Sequence, residues 1–354
     1  MMQFAKAALI VWLSAAACPF VSCAAEESAN VKLRPIIDGT SWLIGPEPNL
    51  APLDLQPAPG DTQPNQPNDH CIFQTNDGVW HLWACVRQTK IGRILCHWEA
   101  KSLTESPWKF TGEIIRADKS AGESLVEWRG QEFIQSPFVV KDKRMYYMFY
   151  GGYDTGLDPN GRKLDAGLDY NTAEKQICLM TSSDGRKWTR HRDKDGYSRV
   201  FVGPGAARDE CIVRLGDTWY AYYAGHHNCD RDAAGIYVRT SSDLIHWSDW
   251  RIAQYDPNCL IGGHKWQAES PVVVYRGGYY YLFRTHGPDR SGTWVFRSTN
   301  PLDFSLNKVE LVTILDVIAP EIVIDETGRE YISNIRGETD YRISLAKLRW
   351  EKDE

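Results

Sequence analysis

Short apolar runs recur along this chain, and long stretches of helical periodicity do not. Five runs share one character: Cys71-Ile72-Phe73, Phe138-Val139-Val140, Cys211-Ile212-Val213, Val272-Val273-Val274 and Ile322-Val323-Ile324. Each is followed by a turn rich in Gly and Asp, such as Asp77-Gly78, Gly216-Asp217 or Gly277-Gly278. Each turn leads into a second, aromatic run: Trp80 to Trp83, Met145 to Phe149, Trp219 to Tyr223, Tyr279 to Phe283 and Tyr331 to Ser333. Third runs centre on Ile94, Ile177, Ile236, Trp294 and Ile343. Three of them pass into similar turns, Ser182 to Trp188, Ser241 to Trp247 and Ser298 to Phe304.

Short β-branched and aromatic runs between Gly/Asp turns read as antiparallel strands. Five repeats of three or four such strands predict an all-β, five-bladed β-propeller. The fifth unit runs out of chain after its third strand. Lys32 to Ile44, with apolar residues at Leu33, Ile36, Trp42 and Ile44, is the candidate for a ring-closing fourth strand. Residues 45–67 hold seven of the 18 prolines, which excludes a helix there. The expected organisation is a signal segment over 1–25, an extended lead-in over 26–67 and a propeller over 68–354.

At the N-terminus, Lys6 precedes an apolar run from Ala7 to Ala17 and small residues at Ser22 to Ala25. This is the pattern of a secretory signal, too short to span a bilayer comfortably. It predicts a secreted or periplasmic protein, cleaved near Ala24 or Ala25; the alternative is a lipid anchor on Cys23, since Val21-Ser22-Cys23 resembles the end of a lipobox. Nine cysteines become seven after processing: Cys71, Cys85, Cys96, Cys178, Cys211, Cys229 and Cys259. An odd number leaves at least one thiol unpaired, and without a CxxC pair there is no zinc ribbon.

With 354 residues, 43% hydrophobic and 24% charged, the chain can bury a substantial core. A net charge of −6 gives no basic footprint for nucleic acid. The 14 Trp and 17 Tyr favour strands and supply flat faces that stack on sugars.

In a propeller, the start of each inner strand and the end of each second strand converge on one funnel. Alignment of the five inner runs puts Asp69, Gln135, Asp209, Glu269 and Ala319 at the funnel mouth. Three carboxylates at a partly desolvated axis repel one another and raise each other's proton affinity. Glycoside cleavage needs this set: one protonated carboxyl for the leaving oxygen, one ionised, and a third that tunes the first. The second-strand ends add Arg87, Tyr153-Asp154, His226, His227, Arg284, His286 and Arg336, and Arg208, His264 and Trp266 flank the acids; these and Gln135 are candidate substrate ligands. No spacing of these histidines, or of Asp154, Asp158, Asp165 and Asp169, specifies a metal, so neither metal nor cofactor is expected.

Asn68-Asp69, Arg208-Asp209 and Glu269-Ser270-Pro271 resemble motifs of the five-bladed propeller glycoside hydrolases, including families 32, 43 and 117. The resemblance covers about residues 65–350. His70 and Glu210 stand where those families usually carry proline, and a C-terminal sandwich like that of family 32 has no room. The resemblance implies Glu269 as general acid and Asp209 as the carboxylate that tunes it. Asp69 is then the base of an inverting enzyme or the nucleophile of a retaining one. It implies an oligo- or polysaccharide partner, with a furanoside or anhydro-sugar unit removed from a chain end. The alternatives are a family 130-like mannoside phosphorylase, a sialidase-like enzyme, suggested by Ser182 to Trp188, and a non-catalytic sugar-binding propeller.

Overall fold

A computed structural model describes residues 30–57, 65–125, 131–158, 160–163, 174–226, 235–256, 268–286, 291–336 and 342–353. These form five sheets, antiparallel throughout except where the short strand Glu132–Phe133 runs parallel to Gly92–Ala100. Blade one is built on inner strand Gln66–Gln74, blade two on Gln135–Asp142, blade three on Arg208–Leu215, blade four on Ala268–Arg276 and blade five on Ile322–Ile324. The outer strand of blade five is Leu33–Gly45, which pairs antiparallel with the last strand, Ile343–Lys352. First and last strands therefore close the ring. Among the described residues there are five sheets and not six, which disfavours the sialidase-like alternative on architecture.

The aromatic second strands have a physical reason. Both faces of a blade are buried against neighbours, so successive side chains, which point to opposite faces, must all be apolar. In blade one, Trp80, Leu82 and Ala84 pack with Val323, Tyr331 and Leu345 of blade five. The intervening Trp83 and Cys85 pack with Tyr146, Met148 and Cys178 of blade two. Three further clusters fill the seams between blades two and three, three and four, and four and five. Trp80, Trp83 and Trp219 belong to this packing and offer no platform to a sugar. Cys71, Cys85, Cys96, Cys178 and Cys211 are buried and unbridged, acting as small hydrophobes. Cys23, Cys229 and Cys259 lie outside the described residues, as does the whole signal segment. No described helix is long and apolar enough to cross a membrane.

Candidate active site

Each inner strand of blades one to four begins with a register break. In blade three Arg208 pairs with Ala224 and Cys211 with Tyr222, so Asp209 and Glu210 together face one residue. Blade four does the same between Glu269 and Val272, blade two between Gln135 and Phe138, and blade one between Pro67 and His70. These are β-bulges, which re-aim side chains where a strand reaches a site. Ser136, Asp209 and Ser270 take left-handed φ values of 52°, 57° and 48°, and Ala319 of blade five takes 47°. Such backbone is costly away from glycine and clusters at functional sites.

The bulges correct one expectation. Asp69, Asp209 and Glu269 do not share a register position: Glu269 precedes its bulge, Asp209 is the first bulged residue and Asp69 the second. Asp209 and Glu269 nevertheless meet, through Arg208. Its Nη2 donates to Glu269 Oε1 at 2.6 Å, and its Nε lies 3.4 Å from Asp209 Oδ2. Asp69 accepts from Asn68 Nδ2 at 2.8 Å and has Arg87 Nη2 at 3.9 Å. Ser136 donates to Asp209 Oδ1 at 2.7 Å, and the Ser270 amide points at Oδ2 from 3.4 Å.

Three carboxyls and two guanidiniums thus face one another, one negative charge in excess if all ionise. Burial pushes Asp209 up to about 7; Asp69 and Glu269 add to the rise and Arg208 opposes it. A carboxyl that holds its proton near neutrality is what an acid-catalysed cleavage draws upon.

Below this cluster the axis narrows to a cavity of about 20 Å³, room for one water, lined by Asp69, His70, Ser136, Asp209, Glu210 and Glu321 among others. Burial drives Glu210 and Glu321 well above the usual carboxylate range and His70 down to about 4. Neither carboxyl oxygen of Glu210 has a hydrogen-bond partner among the described residues. Among those residues no group of three or more ligand side chains is arranged to hold a metal.

The remaining candidates divide. Arg87 faces Asp69 directly. Gln135 is buried and accepts from Arg93 Nη1 at 2.6 Å, so it braces the seam between blades one and two. Arg284 is fully buried, bound to Asp256 at 2.6 Å and to Gln254, so it cannot meet substrate as expected. It also lies 3.0 Å from His286 Nδ1, and the half-buried His286 ring stacks on Trp294 with centroids 3.9 Å apart. His226 is buried, and Arg336 pairs with Asp316 at the rim. His227, His264 and Trp266 lie outside the described residues. Sequence reasoning missed Arg93, Ser136 and Asp256, whose partners all lie in neighbouring blades.

A family model, "Glycosyl hydrolases family 43", matches residues 199–353, a stretch that holds Arg208, Asp209 and Glu269. Among solved structures, a thermostable family-43 glycoside hydrolase superposes with a TM-score of 0.54 at 17% identity, covering 84% of this chain and 92% of that one. An α-L-arabinofuranosidase from Lactobacillus brevis gives 0.53 at 12% identity, covering 80% and 90%. An exo-1,5-α-L-arabinanase from a bovine ruminal metagenomic library gives 0.53 at 16%, covering 81% and 94%. At such identities these likenesses speak for the fold. No curated protein matches the chain.

Proposed function

We propose that this chain, a glycoside hydrolase that resembles family 43, removes neutral furanose or xylose units from the ends of plant-type oligosaccharides, with Glu269 as acid, Asp69 as base and Asp209 as the carboxylate that tunes Glu269. The observation that carries the reading is the Asp209–Arg208–Glu269 cluster inside the family-matched stretch. Glu269 protonates the leaving oxygen while Asp69 takes a proton from the attacking water. The named activities of the structural neighbours, arabinofuranosidase and arabinanase, support a pentose substrate. The family match favours hydrolysis over the phosphorylase and sugar-binding alternatives. Export by the N-terminal segment belongs to the same reading, supported by Lys6 and the apolar run behind it.

The test is a product screen. The protein is incubated with aryl α-L-arabinofuranosides, aryl β-xylosides and the corresponding linear oligosaccharides, with and without phosphate. Monosaccharide release without phosphate is expected. Binding without release, or release only as a sugar phosphate, overturns the reading. Mass spectrometry of the exported protein's N-terminus separates cleavage near Ala24 or Ala25 from lipidation at Cys23.

A further inference from the structure

The Arg208–Glu269 bond conflicts with the role of a general acid. A guanidinium donating at 2.6 Å stabilises the ionised carboxylate, whereas an acid must carry a proton when the leaving oxygen arrives. The same guanidinium already lies 3.4 Å from Asp209, the carboxyl that burial pushes up to about 7. The third nitrogen, Nη1, donates to the Ala206 carbonyl at 3.2 Å and tethers the group to the loop just before its own strand. A small rotation about that tether exchanges one carboxylate for the other.

We propose that Arg208 is a displaceable clamp: it bonds Glu269 in the empty site and turns to Asp209 when the leaving oxygen arrives, which moves the site's shared proton from Asp209 to Glu269. This rests on the catalytic reading above. The charged groups around the clamp include, among the described residues, Asp209 and Glu210 on its own strand, Asp69 and Arg87 from blade one, Glu269 from blade four and Glu321 across the axial cavity. Blade two contributes the neutral Ser136 hydroxyl. The proton count balances. One proton leaves the Asp209 carboxyl, passes to the Glu269 carboxylate and goes to the leaving oxygen. Asp69 meanwhile receives one from the attacking water, and its return to Asp209 restores the resting site. Arg208 is thus a positioning residue, acting on the proton through the two carboxylates.

A clamp that moves on binding separates two pH profiles. kcat/KM reports the free enzyme, and kcat reports the complex. With a poor leaving group, the basic limb of kcat should lie about one pH unit or more above that of kcat/KM, because Glu269 has lost its cation in the complex. In Arg208→Gln the two limbs should coincide. Coincident limbs in the wild type, or a gap that survives in Arg208→Gln, overturn the clamp. If Arg208→Gln does not fold, an Asp69→Asn crystal soaked with oligosaccharide decides: a separation of Nη2 and Glu269 beyond about 3.5 Å supports it, and an intact bond overturns it. Glu269→Gln keeps the two failures apart. If that variant retains more than about a tenth of wild-type activity on a substrate with a poor leaving group, the catalytic reading has failed, not only the clamp.

Discussion

Ser136 donates to Asp209 at 2.7 Å across the seam between blades two and three. Both residues occupy the first place of a bulge, with φ values of 52° and 57°. Equivalent backbone features of adjacent blades therefore bring a hydroxyl and a buried carboxyl together. Ser136→Ala removes a hydrogen bond to a group that must hold one geometry. Such a bond contributes about 0.5–1.5 kcal/mol, so turnover should fall up to about tenfold while the melting temperature moves little. Steady-state kinetics beside a thermal melt checks this.

Glu269→Gln and Asp69→Asn should each lower kcat by at least about 10²–10⁴-fold. The two losses should differ with leaving group. A nitrophenolate departs without a proton, so it should rescue Glu269→Gln and leave Asp69→Asn inactive. Rates on an aryl glycoside and on a natural disaccharide, measured for both variants, test the two roles.

Asp209→Asn should act on activity and stability in opposite directions. Its negative charge raises the affinity of the acid cluster for a proton, so its loss should move the basic limb of the rate profile to lower pH and reduce the maximum. Stability follows from the raised value of about 7. A carboxyl held above its ordinary value stabilises the fold fully at low pH, and that contribution is lost as pH rises from about 4 to about 7. The variant should melt about 2 °C or more above wild type at pH 8 and show no such gain at pH 4. Calorimetry at the two pH values checks the sign.

Much of this architecture was legible because both faces of every blade are buried. Trp80, Leu82 and Ala84 on one face and Trp83 and Cys85 on the other read as a continuous aromatic strand, and five such strands count the blades. The bulges were not legible. Alignment of the apolar cores fixes a register only to within the inserted residue, and the insertion depends on backbone dihedrals that Asp209, Ser270 and Ala319 do not announce. Arg284 reads as a surface cation at a strand end. Its burial depends on Asp256, at the end of another blade's outer strand, and no local pattern joins the two. Arg93 and Gln135 meet across a seam in the same way.

Asp256→Ala leaves the Arg284 guanidinium without a partner that now lies 2.6 Å away, in a site where the arginine is fully buried. Breaking a buried pair from one side costs about 3–5 kcal/mol. The melting temperature should fall well before catalysis is considered. Replacing both residues, Asp256→Leu with Arg284→Met, should restore part of the loss, since an apolar pair carries no desolvated charge. Arg284 also touches His286, so the double variant should bind substrate more weakly even where it folds. Urea melts and KM for the two variants separate the contributions.

Glu210 follows Asp209 on the same strand but faces the axial cavity, 3% exposed, with both carboxyl oxygens unpartnered among the described residues. An ionised carboxylate there would lack hydrogen bonds and face Asp209, Asp69 and Glu321, and burial holds it well above the usual carboxylate range. Burial therefore favours its neutral form. A neutral acid is close in shape and polarity to an amide, so Glu210→Gln should keep activity within about twofold of wild type, where Asp209→Asn does not. The stability sign follows as before. The raised group stabilises the fold below its ordinary value of about 4.5, and that contribution is lost as pH rises. Glu210→Gln removes the loss, so its melting temperature should decline less steeply than wild type's between pH 5 and pH 9. A parallel decline in the two proteins would show that Glu210 is ionised in the fold, with its charge balanced by a group in the axial cavity.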